Sequence, residues 1–193
     1  MEAGVRVDDE DVRLMLAFRD GDTAAFDALF GRWASRVIRY LDRMLRDAAS
    51  AEELAQEVFV RVFRARESYR PEARFSTWLY RIATNVALNE LRRPHRRRPH
   101  ESTDGEQGAA TRLAGSEPSA ERVAHARRVG GEVDRALQEL PERQRSALWL
   151  SAVEGLSYAE VAEALGTTEK SVKALVHRAR AALARQLPVE ETV

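Results

Sequence analysis

Between Phe26 and Leu45 the apolar side chains return every three or four residues: Phe26, Leu29, Phe30, Trp33, Val37, Leu41, Met44, Leu45. No proline precedes Pro71, and no convincing alternating strand pattern occurs anywhere. That spacing puts one apolar stripe on a helix and demands a partner to cover it. The pattern then repeats. Ser50-Ala51-Glu52-Glu53 has the form of a capping box, and Leu54, Val58 and Val62 line one stripe with Phe59 and Phe63 beside it. After Pro71, Ser76 or Thr77 is placed to cap a third helix with Trp78, Leu79, Ile82, Val86 and Leu91 inward; Pro94 and Pro99 bracket its end.

Residues 94–130 differ. Pro94, Pro99, Pro118, Gly105, Gly108, Gly115 and Gly130 fall there, with little apolar periodicity before Val123. Such a composition cannot bury enough apolar surface to offset its ordering entropy. Helical signals then return. Val133, Leu137 and Leu140 form a stripe stopped by Pro141, which opens the next helix with Ala147, Leu148 and Leu150. Glu154-Gly155-Leu156 marks a turn. Ser157-Tyr158-Ala159-Glu160 is a second capping box, Val161, Ala162 and Leu165 point inward, and Gly166 ends that helix. Thr167 or Thr168 opens the last, with Val172, Leu175, Val176, Ala179 and Leu183. The expected fold is all-α: two small helical domains joined by a flexible linker, the second a helix-turn-helix. The expected boundaries are 1–98, 99–130 and 131–193.

Composition narrows the chemistry. The 193 residues carry 31 basic and 31 acidic side chains and no cysteine, which excludes disulfides, thiol nucleophiles and Cys-based zinc sites. No apolar run approaches the roughly 20 residues of a membrane span, and the acidic N-terminus has no signal core. The expected location is cytoplasmic, without membrane insertion. His95, His100, His125 and His177 have no metal-ligand spacing, and no phosphate loop or nucleophile elbow occurs. Neither an enzyme nor a cofactor is expected.

Zero net charge hides segregation. Residues 1–30 hold eight acids against three arginines; residues 69–100 hold eight arginines against Glu72 and Glu90. Residues 101–121 hold five acids against Arg112; residues 168–187 hold five basic side chains against Glu169. Two basic segments flanking an acidic one suit a nucleic-acid partner, because lysine and arginine on phosphates release counterions.

The two basic segments differ in chemistry. Ser157 to Arg180 is a short helix, a glycine turn and a longer basic helix, the layout in which a second helix enters a major groove. The groove-facing side chains are expected to be Thr168, Lys170, Ser171, Lys173, Ala174, His177, Arg178 and Arg180. The other segment interleaves arginine and aromatics: Arg70, Arg74, Phe75, Ser76, Thr77, Trp78 and Arg81, then Asn85, Asn89, Arg92 and Arg93. Arginine on phosphate and aromatics on bases suit a single strand. Taken alone, Phe75 and Trp78 are residues more often found in a core.

Taken in order, these segments resemble the bacterial RNA polymerase sigma factors of the extracytoplasmic-function (ECF) subfamily of the sigma-70 family. Glu52 to Phe63 is similar to their core-polymerase-binding helix, and Phe75 to Asn85 to their promoter-melting segment. Leu140 to Arg145, Leu156 to Ala162 and Val172 to Arg180 are similar to their C-terminal domain. The resemblance covers roughly residues 20–98 and 130–187. Lys170-Ser171-Val172 departs from a common Gly-Thr-Val, Leu175 stands where a basic residue is common, and Asn89 where Asp is frequent.

The resemblance implies a specificity subunit that leaves catalysis to the polymerase. Glu53, Gln56, Glu57 and Arg61 would meet a coiled coil on the largest subunit of core RNA polymerase. The Arg70 to Arg93 segment would hold the melted −10 strand with a flipped base. The helix-turn-helix would read promoter DNA as duplex at −35, beside the polymerase flap. An anti-sigma factor is the usual partner. The acidic linker, with Asp104, Glu106 and Glu117, would lie in the template or RNA path. Two other classes stay open: a conventional two-domain DNA-binding regulator, and a helical adaptor whose DNA contacts are incidental.

Overall fold

The computed structural model describes residues 9–93 and 120–187, with side chains from 130 onward in the second stretch. Linker residues 99–119, including Asp104, Glu106 and Glu117, lie outside the described residues. The described residues are helical apart from turns and one short 3-10 segment, Arg66–Ser68, as the periodicity predicts.

Four helices form the first group: α1 (Glu10–Arg19), α2 (Thr23–Leu45), α3 (Ala48–Arg64) and α4 (Phe75–Arg92). The long α2 packs against the other three. It buries Leu29, Trp33, Val37, Tyr40, Leu41 and Met44, the stripe expected from its spacing with Tyr40 added. Helix α1 is new. Val12, Met15 and Phe18 recur every third residue and are all buried, and the Asp9 carboxylate caps the helix by accepting from Asp11 N. Ten residues gave the periodicity too little length to stand out in so acidic a stretch.

Two expected caps are corrected. Helix α3 starts at Ala48, and Asp47 caps it, accepting from Ser50 N and Ser50 Oγ. Ser50 lies inside the first turn because Asp47, a stronger acceptor, is three residues earlier. Helix α4 starts at Phe75, so Ser76 and Thr77 are already helical. The freed Phe75 amide instead donates to Asp9 Oδ2 at 3.4 Å, so Asp9 ties the start of α4 to the start of α1.

The second group comprises α5 (Ala120–Glu139), α6 (Glu142–Ala152), α7 (Tyr158–Leu165) and α8 (Glu169–Gln186). Helix α5 begins ten residues inside the stretch expected as linker, and it crosses the 130–131 boundary. Its AERVAHARR start is rich in good helix formers, which outweigh the adjacent pair Gly130 and Gly131. The remaining signals agree with the sequence. Pro141 precedes α6, Ser157 and Glu160 complete a reciprocal capping box on α7, Gly166 ends α7 in the left-handed region (φ 59°), and Thr168 caps α8.

The two groups pack together. Helix α7 lies along α4, and α6 meets α2, so one continuous apolar core runs through both.

Candidate nucleic-acid interface

The second group builds a helix-turn-helix from α7 and α8. Val172, Val176 and Ala179 are buried, which fixes which side of α8 faces inward. Lys170, Lys173, His177, Arg178 and Arg180 are exposed on the rest of the helix, as is the capping Thr168; Ser171 and Ala174 are half-buried. All eight expected residues are thus on α8 or its cap, with none lost to the core. The hydroxyl of Thr168 accepts from Ser171 N at 3.2 Å, so both are engaged in starting the helix.

A crevice of about 540 Å³ opens at the start of α8, lined by Gly166, Thr167, Lys170, Ser171, Ala174 and Arg178. Arg143 of α6 also lines it, donating to the Leu165 carbonyl at 3.1 Å. Three cationic side chains, Arg143, Lys170 and Arg178, therefore share one concave site. Sequence reasoning missed Arg143, since nothing local in Pro141-Glu142-Arg143 says that α6 delivers it to the turn.

On α4 the expected strand-binding residues divide. Arg81, Asn85, Asn89 and Arg92 are exposed and recur at steps of four, four and three, forming one polar stripe. Arg70 and Arg74 are exposed before and at its start. Arg70 is anchored by donating to the Tyr69 carbonyl at 3.0 Å, and Arg93 pairs with Glu90 at 2.9 Å. Ser76 is half-buried. Trp78 is half-buried too, its ring 4.9 Å from Tyr69 and 5.8 Å from Phe75.

Phe75 and Thr77 are corrections. Both are 0% exposed. Phe75 packs 6.0 Å from Trp33 in the first group's core, so its ring is unavailable for stacking on a base in this conformation. Nearby, burial pushes the Tyr69 phenol up to about 12, with the Asp9 charge adding to the shift.

A third surface lies on α3. Glu53, Gln56 and Arg61 are exposed and Glu57 is half-exposed, at steps of three, one and four along one face. Arg61 donates to Glu57 Oε1 through Nη2 and Nε, at 2.5 and 3.1 Å. Val60 and Phe63 on the same helix, and Phe30 on α2, are large apolar side chains more than 40% exposed. Periodicity places Phe63 beside the inward stripe, but it is exposed together with Val60, and the pair makes this surface apolar as well as charged.

Among the described residues, no cluster of His, Asp or Glu is placed to hold a metal, and no helix is long and apolar enough to cross a membrane.

Two family models match the chain: "Sigma-70 region 2" over residues 29–98 and "Sigma-70, region 4" over residues 130–183. The RNA polymerase sigma-H factor of Pseudomonas aeruginosa is 33% identical over 182 residues, covering 93% of this chain and 94% of that protein. The chain belongs to the sigma-70 family, within its ECF branch. The ECF RNA polymerase sigma-E factor of Escherichia coli K12 is 32% identical over 169 residues, covering 84% of this chain and 86% of its own. The fold agrees with that of the Bartonella quintana sigma factor RpoE, solved in complex with the anti-sigma factor NepR. The TM-score is 0.68 at 20% identity, over 86% of this chain and 98% of that one. This ECF sigma factor is an alternative sigma factor, directing promoter-specific transcription initiation.

Proposed function

We propose a division of labour among the three surfaces. Helix α8 enters the major groove of the −35 duplex, with Lys170, Lys173, His177 and Arg178 toward base edges and Thr168, Ser171, Ala174 and Arg180 beside the backbone. A helix in a groove suits duplex, where base edges are displayed in order. Arg70, Arg74, Arg81, Asn85, Asn89, Arg92 and Arg93 hold the melted −10 strand, with Ser76 and Trp78 at its edge. Glu53, Gln56, Glu57 and Arg61 bind the coiled coil of the polymerase's largest subunit, and the second domain sits near the flap. The polymerase does the chemistry in the cytoplasm, and an anti-sigma factor holds the chain inactive.

The observation that carries this reading is the α8 surface. One side is buried, both ends of the turn are capped, and the other side presents a cationic row beside a cationic crevice. The capped turn holds the row in a fixed orientation, which is what reading base edges requires.

The test is transcription in vitro with purified bacterial core polymerase on a genomic promoter library, sequencing the RNA ends. Start sites that appear only with this protein, sharing elements at −35 and −10, support the reading. Core binding with no new start sites points instead to an adaptor. No core binding at all points to a conventional DNA-binding regulator.

A further inference from the structure

Ala174 sits where the outward side of α8 is most remote from the core. It is two positions from both Val172 and Val176, which are buried, so about 200° of helical turn separates it from each. Such a position is ordinarily open to solvent, and Ala181, two turns further along the same line, is exposed. Ala174 is half-buried instead, because it lies in the crevice at the start of α8. Lys170 and Arg178 line the crevice with it, each one helical turn away, before and after. Arg143 reaches the same crevice from α6 and is anchored there by donating to the Leu165 carbonyl at 3.1 Å. Leu175 lines it too, and packs against the core. Among the described residues, no carboxylate lines this space. The crevice therefore has an apolar floor, Ala174 and Leu175, and a rim of cations.

That chemistry selects among the edges displayed in a major groove. Lysine and arginine only donate hydrogen bonds, and an alanine methyl neither donates nor accepts. Adenine and cytosine turn an amino donor toward the groove, which a donor-only rim cannot satisfy. Guanine offers two acceptors, which suit the rim, but nothing apolar for the floor. Thymine alone sets an acceptor, O4, beside an apolar group, its 5-methyl. An acceptor for the rim and a methyl for the floor are what this crevice matches.

We propose that Ala174 is a specificity-determining residue. Its methyl packs on the 5-methyl group of one thymine in the −35 duplex, while the cationic rim donates to O4 of the same base. The inference rests on the −35 reading above and refines it in one place. Ala174 has no donor for a phosphate, so it moves from beside the backbone to the base edges.

The test uses holoenzyme assembled from the full-length chain and purified bacterial core polymerase. The probes are duplexes carrying the −35 elements recovered by the transcription experiment. Each thymine of the element, on either strand, is replaced singly by deoxyuridine, which deletes the 5-methyl and leaves every hydrogen-bonding group in place. One replacement should weaken binding about threefold to fivefold, the worth of one buried methyl, and the others should change little. Ala174→Gly should bind the thymine and deoxyuridine duplexes alike. The quantity read is a ratio on one preparation, so a folding defect, which lowers both affinities by the same factor, leaves it unmoved. Arg178→Ala should weaken binding to both duplexes and keep the ratio. Specific −35 binding in which no thymine responds to loss of its methyl overturns the contact and leaves the −35 reading standing. A −35 element without any A·T pair does the same. A responsive thymine whose discrimination survives Ala174→Gly overturns Ala174 as its source. Absence of sequence-specific −35 binding overturns the −35 reading and the contact that rests on it.

Discussion

The first group of helices is built on rings and the second on small aliphatic side chains. Phe18, Trp33, Tyr40, Phe75 and Tyr80 are all buried in the first group. In the second, the buried apolar side chains are Ala, Val and Leu, such as Ala147, Leu150, Val161, Val172 and Ala179. Each aromatic ring removes roughly 150–250 Å² from water, so the first group rests on its own core. The second has less to bury. It relies on local caps and on leaning against α2 and α4. The first group is thus the platform against which α6 and α7 of the second pack.

The largest expected effect tests the platform. Phe75→Ala should cost about 3–5 kcal/mol in urea unfolding, because a fully enclosed ring leaves a cavity. A cost below about 1 kcal/mol with strand binding lost would return Phe75 to the strand.

The joint comes next. Tyr40 ordinarily titrates at 10.0 and is held at about 12 here. Its folded value is raised, so its contribution is complete below pH 10 and is lost as pH rises from 10 through about 12. The shift corresponds to about 3 kcal/mol. Tyr40→Phe should flatten the alkaline limb of a stability–pH profile; an unchanged limb would place the titration elsewhere.

The second group's surface is expected to show a smaller effect of a different kind. Arg178→Ala should cost about 1–3 kcal/mol in −35 duplex affinity while leaving the melting temperature unchanged. Equal loss on every duplex sequence would assign Arg178 to the backbone. Ser157→Ala should cost about 1 kcal/mol, seen as faster amide exchange at the start of α7. If exchange is instead uniform, the capping box is not what holds this helix. The smallest effect on stability is Glu57→Ala, below about 0.5 kcal/mol for an exposed pair with Arg61. Its effect should appear as weaker core-polymerase binding, and intact binding would move the contact to Val60 and Phe63.

Much of the fold was legible locally. The stripe Leu29, Trp33, Val37, Leu41 gave α2, and Ser157, Gly166 and Thr168 gave both ends of α7 and the start of α8. The α8 surface was legible for the same reason: inward Val172, Val176 and Ala179 imply which side remains outside. Helix α1 was not, because its apolar residues are few and sit among acids. Nor was the cap of α4, because its acceptor, Asp9, lies 66 positions away.

By itself, then, the order of residues determined most of the helices, both ends of α7, and the apolar faces of α2 and α8, since these depend on neighbours within a turn or two. Tertiary structure decided which aromatic of the Phe75–Trp78 segment is core and which is surface, and that Arg143 joins the α8 crevice. It also decided that the two groups meet. Tyr40 and Ser146 are 106 positions apart, and Arg145 and Met44 are 101 apart. No helical period reaches across such separations; only the packed chain brings those groups within hydrogen-bond range.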